Sequence, residues 1–88
     1  MITLQKIQDA HKKILSYVNY TPLVQSQYLS KNSKVKLKLE NFQITGSFKL
    51  RGAVNKLLSL SEQEKEQGVI AVSTGNHGKG VALSLIHI

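Results

Sequence analysis

Residues 69–80 read Val69-Ile70-Ala71-Val72-Ser73-Thr74-Gly75-Asn76-His77-Gly78-Lys79-Gly80. The first four are a short, wholly apolar run. Strands buried on both faces look like this, and they belong to the parallel sheets of α/β proteins. A glycine-rich turn follows, and a helical pattern begins at about His77. The order strand, glycine loop, helix puts the loop at the carboxyl end of a parallel strand, where open α/β sheets bind ligands. The spacing excludes two nucleotide motifs. Gly75, Gly78 and Gly80 stand in the wrong order for a dinucleotide fingerprint. Gly75 and Gly80 have P-loop spacing, but Val81 and Ala82 follow in place of Lys and Ser or Thr. What remains is an anion cradle: backbone N–H groups at a helix start, with the hydroxyls of Ser73 and Thr74 beside them. A carboxylate suits it as well as a phosphate, and a turn without a ligand is the plain alternative.

Upstream, Thr45-Gly46-Ser47 is turn chemistry and Ser47 is a good helix N-cap. The helix it opens runs from Phe48 to Leu60, with Leu50, Val54, Leu57 and Leu58 on its apolar side. Lys49 falls in its first turn. The positive end of the helix dipole opposes a second positive charge there, which suits an amine that must act as a nucleophile. A surface lysine is the plain alternative. Ser61-Glu62-Gln63-Glu64 is a capping box for a further short helix, and Gly68 can supply its left-handed stop. Val35 to Glu40 alternates as a strand, with Val35, Leu37 and Leu39 on one face and Lys34, Lys36 and Lys38 on a wet one. Leu4, Ile7, His11, Ile14 and Val18 form the stripe of an amphipathic helix that Asn19 and Pro22 end. A short helix over Ser26 to Leu29 is also expected.

The chain has 88 residues, 41% of them hydrophobic and 19% charged, which is ordinary globular composition. It contains no cysteine, so disulfides, thiolate metal sites and cysteine nucleophiles are excluded. No metal-ligating cluster is read. The net charge of +7 raises the question of nucleic acid. The basic residues are scattered, however: Lys12 and Lys13, then Lys34, Lys36 and Lys38, then Lys49, Arg51 and Lys56. No nucleic-acid motif interleaves aromatics with them, and a solvated surface is the expected use. No apolar run approaches the roughly 18–20 residues that span a bilayer, and Met1-Ile-Thr-Leu-Gln-Lys6 has no signal-peptide pattern, so a cytoplasmic protein without membrane or nucleic-acid partners is expected.

Ser47-Phe48-Lys49-Leu50-Arg51-Gly52-Ala53, an apolar strand, and Ser73-Thr74-Gly75-Asn76-His77 together resemble the fold-type II pyridoxal-phosphate enzymes. The nearest branch is the threonine and serine dehydratases with serine racemase. Tyr20-Thr21-Pro22-Leu23 and Lys38-Leu39-Glu40-Asn41 belong to the same resemblance, which runs from about Leu4 to Ala82. It implies a truncated piece of a three-layer α/β/α fold of the tryptophan synthase beta-subunit-like type. It implies pyridoxal 5'-phosphate as cofactor, carried by Lys49 as a Schiff base, with Phe48 packing near its ring and Asn76 bonded to its phenolic oxygen. Ser73, Thr74, Gly75, Asn76 and His77 would cradle the carboxylate of an amino-acid substrate. Lys49 would be the catalytic base.

The parent enzyme is thus expected to be a homo-oligomeric ammonia-lyase turning L-threonine or L-serine into a 2-oxo acid and ammonia. The 88-residue chain alone is expected to be inactive, because the family's phosphate-binding tetraglycine loop lies outside it. Serine racemase, 3-hydroxyaspartate ammonia-lyase and, from another class, a small basic binding module are the alternatives. Thr74 stands where the family often has Ser or Ala, which weakens racemisation. Ile44 stands where some members carry a basic residue linked to nucleotide effectors. Finally, Leu83-Ser84-Leu85-Ile86-His87-Ile88 equals the codon-by-codon translation of a transposon-end sequencing adapter. Residues 1–82 are therefore expected to be the natural dehydratase-like part and 83–88 adapter read-through.

Overall fold

The computed structural model describes residues 1–88. Helix α1 (Leu4–Ile14) opens on Thr3, whose Oγ1 accepts the Lys6 N–H at 3.2 Å. Strands β1 (Leu23–Gln25) and β2 (Lys36–Lys38) pair antiparallel, Val24 opposite Leu37. A single 3-10 turn at Glu40–Phe42 leads towards α2 (Lys49–Leu58). Helix α3 (Glu62–Gln67) and helix α4 (Asn76–His87) complete the chain.

The core is small. Ile14 of α1 meets Leu50 and Val54 of α2, with Tyr17, Val18, Leu58, Leu83 and Ile88 packed around them. Helix α2 buries Leu50, Ala53, Val54 and Leu57 at helical spacing; Leu50, Val54 and Leu57 each contribute about 1.5–3 kcal/mol by leaving water. Helix α4 lies against α2 and runs the same way. Gly80 meets Leu50 and Ala53, and further along Leu57 and Leu60 share a cavity wall with Leu85 and Ile88. The two helices therefore begin at the same end of the pair.

Four expectations are corrected. Val69–Val72 forms no strand, and Ile70 and Val72 are 97% and 95% exposed. A doubly buried strand exists only between neighbours, and β1 and β2 pair only with each other. The α1 stripe is buried only at Ile14, while Leu4, Ile7 and His11 face solvent and the helix stops before Val18. Residues 27–29 form a turn rather than a helix, with the Ser26 hydroxyl accepting the Leu29 N–H at 3.1 Å. Ser47 does not cap α2: Phe48 holds the cap position and no side chain bonds there. The capping box of α3 is present, with Ser61 Oγ accepting the Glu64 N–H at 3.1 Å and Gly68 closing the helix at φ +79°.

Candidate active site

Lys49 is the first residue of α2 and is exposed. Its ammonium makes no ion pair or hydrogen bond and lies 6.0 Å from the centre of the Phe48 ring, which is itself 62% exposed. No group of the chain ties it down. The hydroxyls of Thr45 and Ser47, in the turn just before it, are buried without a partner.

That turn is tied down from the far side. The backbone N–H of Asn19 donates to Gln43 Oε1 at 3.0 Å, and Gln43 Nε2 donates back to the Asn19 carbonyl at 2.9 Å. Asn19 Nδ2 reaches the Phe42 carbonyl at 3.1 Å. Arg51, on the first turn of α2, donates from Nε to Glu40 Oε1 at 2.5 Å. These bonds hold residues 40–43 between the end of α1 and the start of α2. The 24-residue separation of Asn19 and Gln43 leaves no periodicity or motif in the sequence; a buried amide, Gln43 at 4% exposure, is visible only once the chain is folded.

The second half of the site is the loop entering α4. Ser73 Oγ accepts two backbone N–H groups, from Gly75 at 3.0 Å and Gly78 at 3.1 Å. It therefore caps the helix from outside and keeps its own O–H as a donor. Gly75 turns the chain at φ +157°, ψ −70°, a conformation that L side chains rarely adopt. The N–H groups of Asn76 and His77 have no acceptor within the chain. With the dipole of α4 behind them they are open donors at a helix start, where the loop sequence leads an anion cradle to be expected.

The structure thus places Phe48 and Lys49 at the start of α2, and Ser73, Thr74, Gly75, Asn76 and His77 at the start of α4. Packing of Gly80 on Leu50 brings the two starts to one end of the helix pair. No direct bond joins Lys49 to the 73–77 loop. The residues present fit an aldehyde-bearing, anionic cofactor: a free amine, unpartnered buried hydroxyls beside it, and open N–H donors across from it.

The chain is 48% identical to the L-threonine dehydratase catabolic TdcB of Staphylococcus aureus strain USA300, over 96% of this chain and 25% of the relative. It resembles the threonine deaminase of T.th. with a TM-score of 0.82 and 40% identity, over 98% of this chain and 31% of that one. The serine racemase of Dictyostelium discoideum superposes with a TM-score of 0.85 and 40% identity, over 94% and 28% respectively. Maize serine racemase gives 0.83 and 36%, over 93% and 26%. The chain spans about a quarter of the length of the curated relatives it matches. The model of the pyridoxal-phosphate dependent enzymes matches residues 14–85, and the chain belongs to that family.

Proposed function

We propose that this chain supplies the lysine and the carboxylate-binding loop of an ammonia-lyase acting on a 2-amino-3-hydroxy acid, L-threonine or L-serine. The observation that supports it best is the free Lys49 amine at the same end of the helix pair as the open N–H groups of Asn76 and His77. In this reading Lys49 holds pyridoxal 5'-phosphate, Phe48 packs near its ring and Asn76 bonds its phenolic oxygen. The cofactor, when bound, supplies an electron sink for the pair left on the substrate's α-carbon. Ser73, Thr74, Gly75, Asn76 and His77 receive the substrate carboxylate and orient the α C–H bond. The Lys49 amine takes the α-proton as general base. The β-hydroxyl leaves as water, one water is regained on hydrolysis, and threonine gives 2-oxobutanoate and ammonia.

The whole protein is read as a cytoplasmic homo-oligomer. In the chain itself, no helix is long and apolar enough to cross a membrane. Borohydride reduction of the whole protein with its cofactor, followed by peptide mapping, is expected to place the label on Lys49. Label on another lysine, or none, refutes the assignment of Lys49. Racemisation of L-serine is the second reading, favoured by the likeness to two serine racemases. Chiral analysis of recovered serine separates the two, and Thr74 weighs towards elimination.

A further inference from the structure

The buried glycine of α4 touches the backbone next to the reactive lysine. A Cβ built on Gly80 would lie 3.3 Å from Leu50 Cα, 3.4 Å from Leu50 N and 3.4 Å from Ala53 Cβ. Two of those three atoms are backbone, and Leu50 N belongs to the peptide bond shared with Lys49. Glycine inside a helix is unfavourable relative to alanine, so a helix that carries one at its tightest contact gains closeness in exchange. Asn76 stands one turn before Gly80 on α4, and Lys49 one residue before Leu50 on α2. The contact therefore sets the separation between the two helix starts.

We propose that Gly80 is a positioning residue: by letting α4 seat on the Leu50 backbone, it fixes Lys49 relative to the Asn76–His77 end of the loop. This rests on the role of Lys49 proposed above. An added methyl has to be accommodated by a shift of a few tenths of an ångström between α4 and the start of α2, which changes the placement of Lys49 relative to Asn76 whichever helix moves. A merely structural glycine would alter stability and leave the site's chemistry alone.

The test uses the whole protein with pyridoxal 5'-phosphate. Gly80→Ala is expected to lower kcat and cofactor affinity by about tenfold each, given that misplacement by about 1 Å costs about a hundredfold. The bound cofactor's absorbance band should shift as well, while the thermal midpoint of the cofactor-free protein stays near that of the parent. Adding Ala53→Gly removes one of the three contacts and is expected to restore part of the loss. Kinetics and cofactor affinity within about twofold of the parent in Gly80→Ala overturn the proposal, as does a double variant no closer to the parent than the single one. If Gly80→Ala does not fold, the double variant decides: a folded double variant with parental kinetics and spectrum overturns it, and a reduced kcat with a shifted band supports it. A parent protein that binds no cofactor refutes the role of Lys49 instead, and shows this before any variant is made.

Discussion

The two halves of the site are held by different means. Lys49 stands on a helix with four buried residues, and the turn before it is pinned by Asn19, Gln43 and the Arg51–Glu40 pair. The Ser73–His77 loop is approached by residues 61–74, every one of them exposed. It is fixed only by Ser73 from within and by the seating of Gly80 on α2 from behind. The lysine end carries its own support in this stretch of chain. The loop end has an apolar lead-in, Val69–Val72, that finds no strand partner here. A segment so apolar and so exposed is suited to pairing, and relatives about four times as long have chain to provide it.

The sharpest way to break this contrast is at Lys49. Lys49→Ala in the whole protein removes both the cofactor's anchor and the proposed base, so turnover is expected to fall by at least about a thousandfold. Lys56→Ala, two turns along the same helix and exposed, is expected to leave turnover within about twofold. Steady-state formation of 2-oxobutanoate measures both. Similar losses in the two variants would remove the distinction between the lysine end and the rest of α2.

A second measurement addresses Val72. If residues 69–72 become a buried strand in the whole protein, Val72→Asp places an unpaired charge there and should cost more than about 4 kcal/mol, or prevent folding. At a position that stays 95% exposed the same change should cost less than about 0.5 kcal/mol. Urea unfolding distinguishes the two. A small cost in the whole protein would mean that this half of the site is unsupported there too.

Those two regions also differ in how far the sequence discloses them. Helix α2, the α3 capping box and the start of α4 are legible because their signals are local: spacing of Leu50, Val54 and Leu57, Ser61 three residues before Glu64, glycines around Asn76. The motif residues around Lys49 and Ser73–His77 are legible as a resemblance, and the packing that puts them at one end is not. It depends on Gly80 against Leu50, thirty residues apart in sequence. The Asn19–Gln43 tie is hidden for the same reason. Where local pattern misleads most, at Val69–Val72, the outcome rests on whether a strand edge meets a partner. Hydrophobic spacing carries no information about that.

The Asn19–Gln43 tie gives the third test. Gln43→Ala removes both bonds of a two-way amide pair; the groups left behind belong to exposed Asn19 and can turn to water, so each lost bond costs about 1 kcal/mol. Chemical denaturation of the whole protein is expected to show a loss of that order, with little change in the substrate KM, because the tie supports the lysine end only. A KM rise without loss of stability would mean that the tie serves the loop instead.

The smallest expected effect is at Ser73. Its Oγ accepts from Gly75 and Gly78, so Ser73→Ala leaves two N–H groups at the mouth of α4 to be satisfied by water. Both lie in an exposed loop, where solvent replaces the bonds readily, and loss of a cap of this kind costs about 1 kcal/mol. Thermal unfolding should therefore barely move. The loop itself loses the bonds that hold its turn, so the N–H groups of Asn76 and His77 are less often aligned for a carboxylate. KM for threonine is expected to rise by about threefold to tenfold, with cofactor affinity close to that of the unsubstituted protein, because Lys49 and its supports are untouched. Ser73→Thr keeps the acceptor and should behave as the parent. A fall in cofactor affinity matching the rise in KM would show that the two ends of the site are held as one unit, and the contrast between them would not stand.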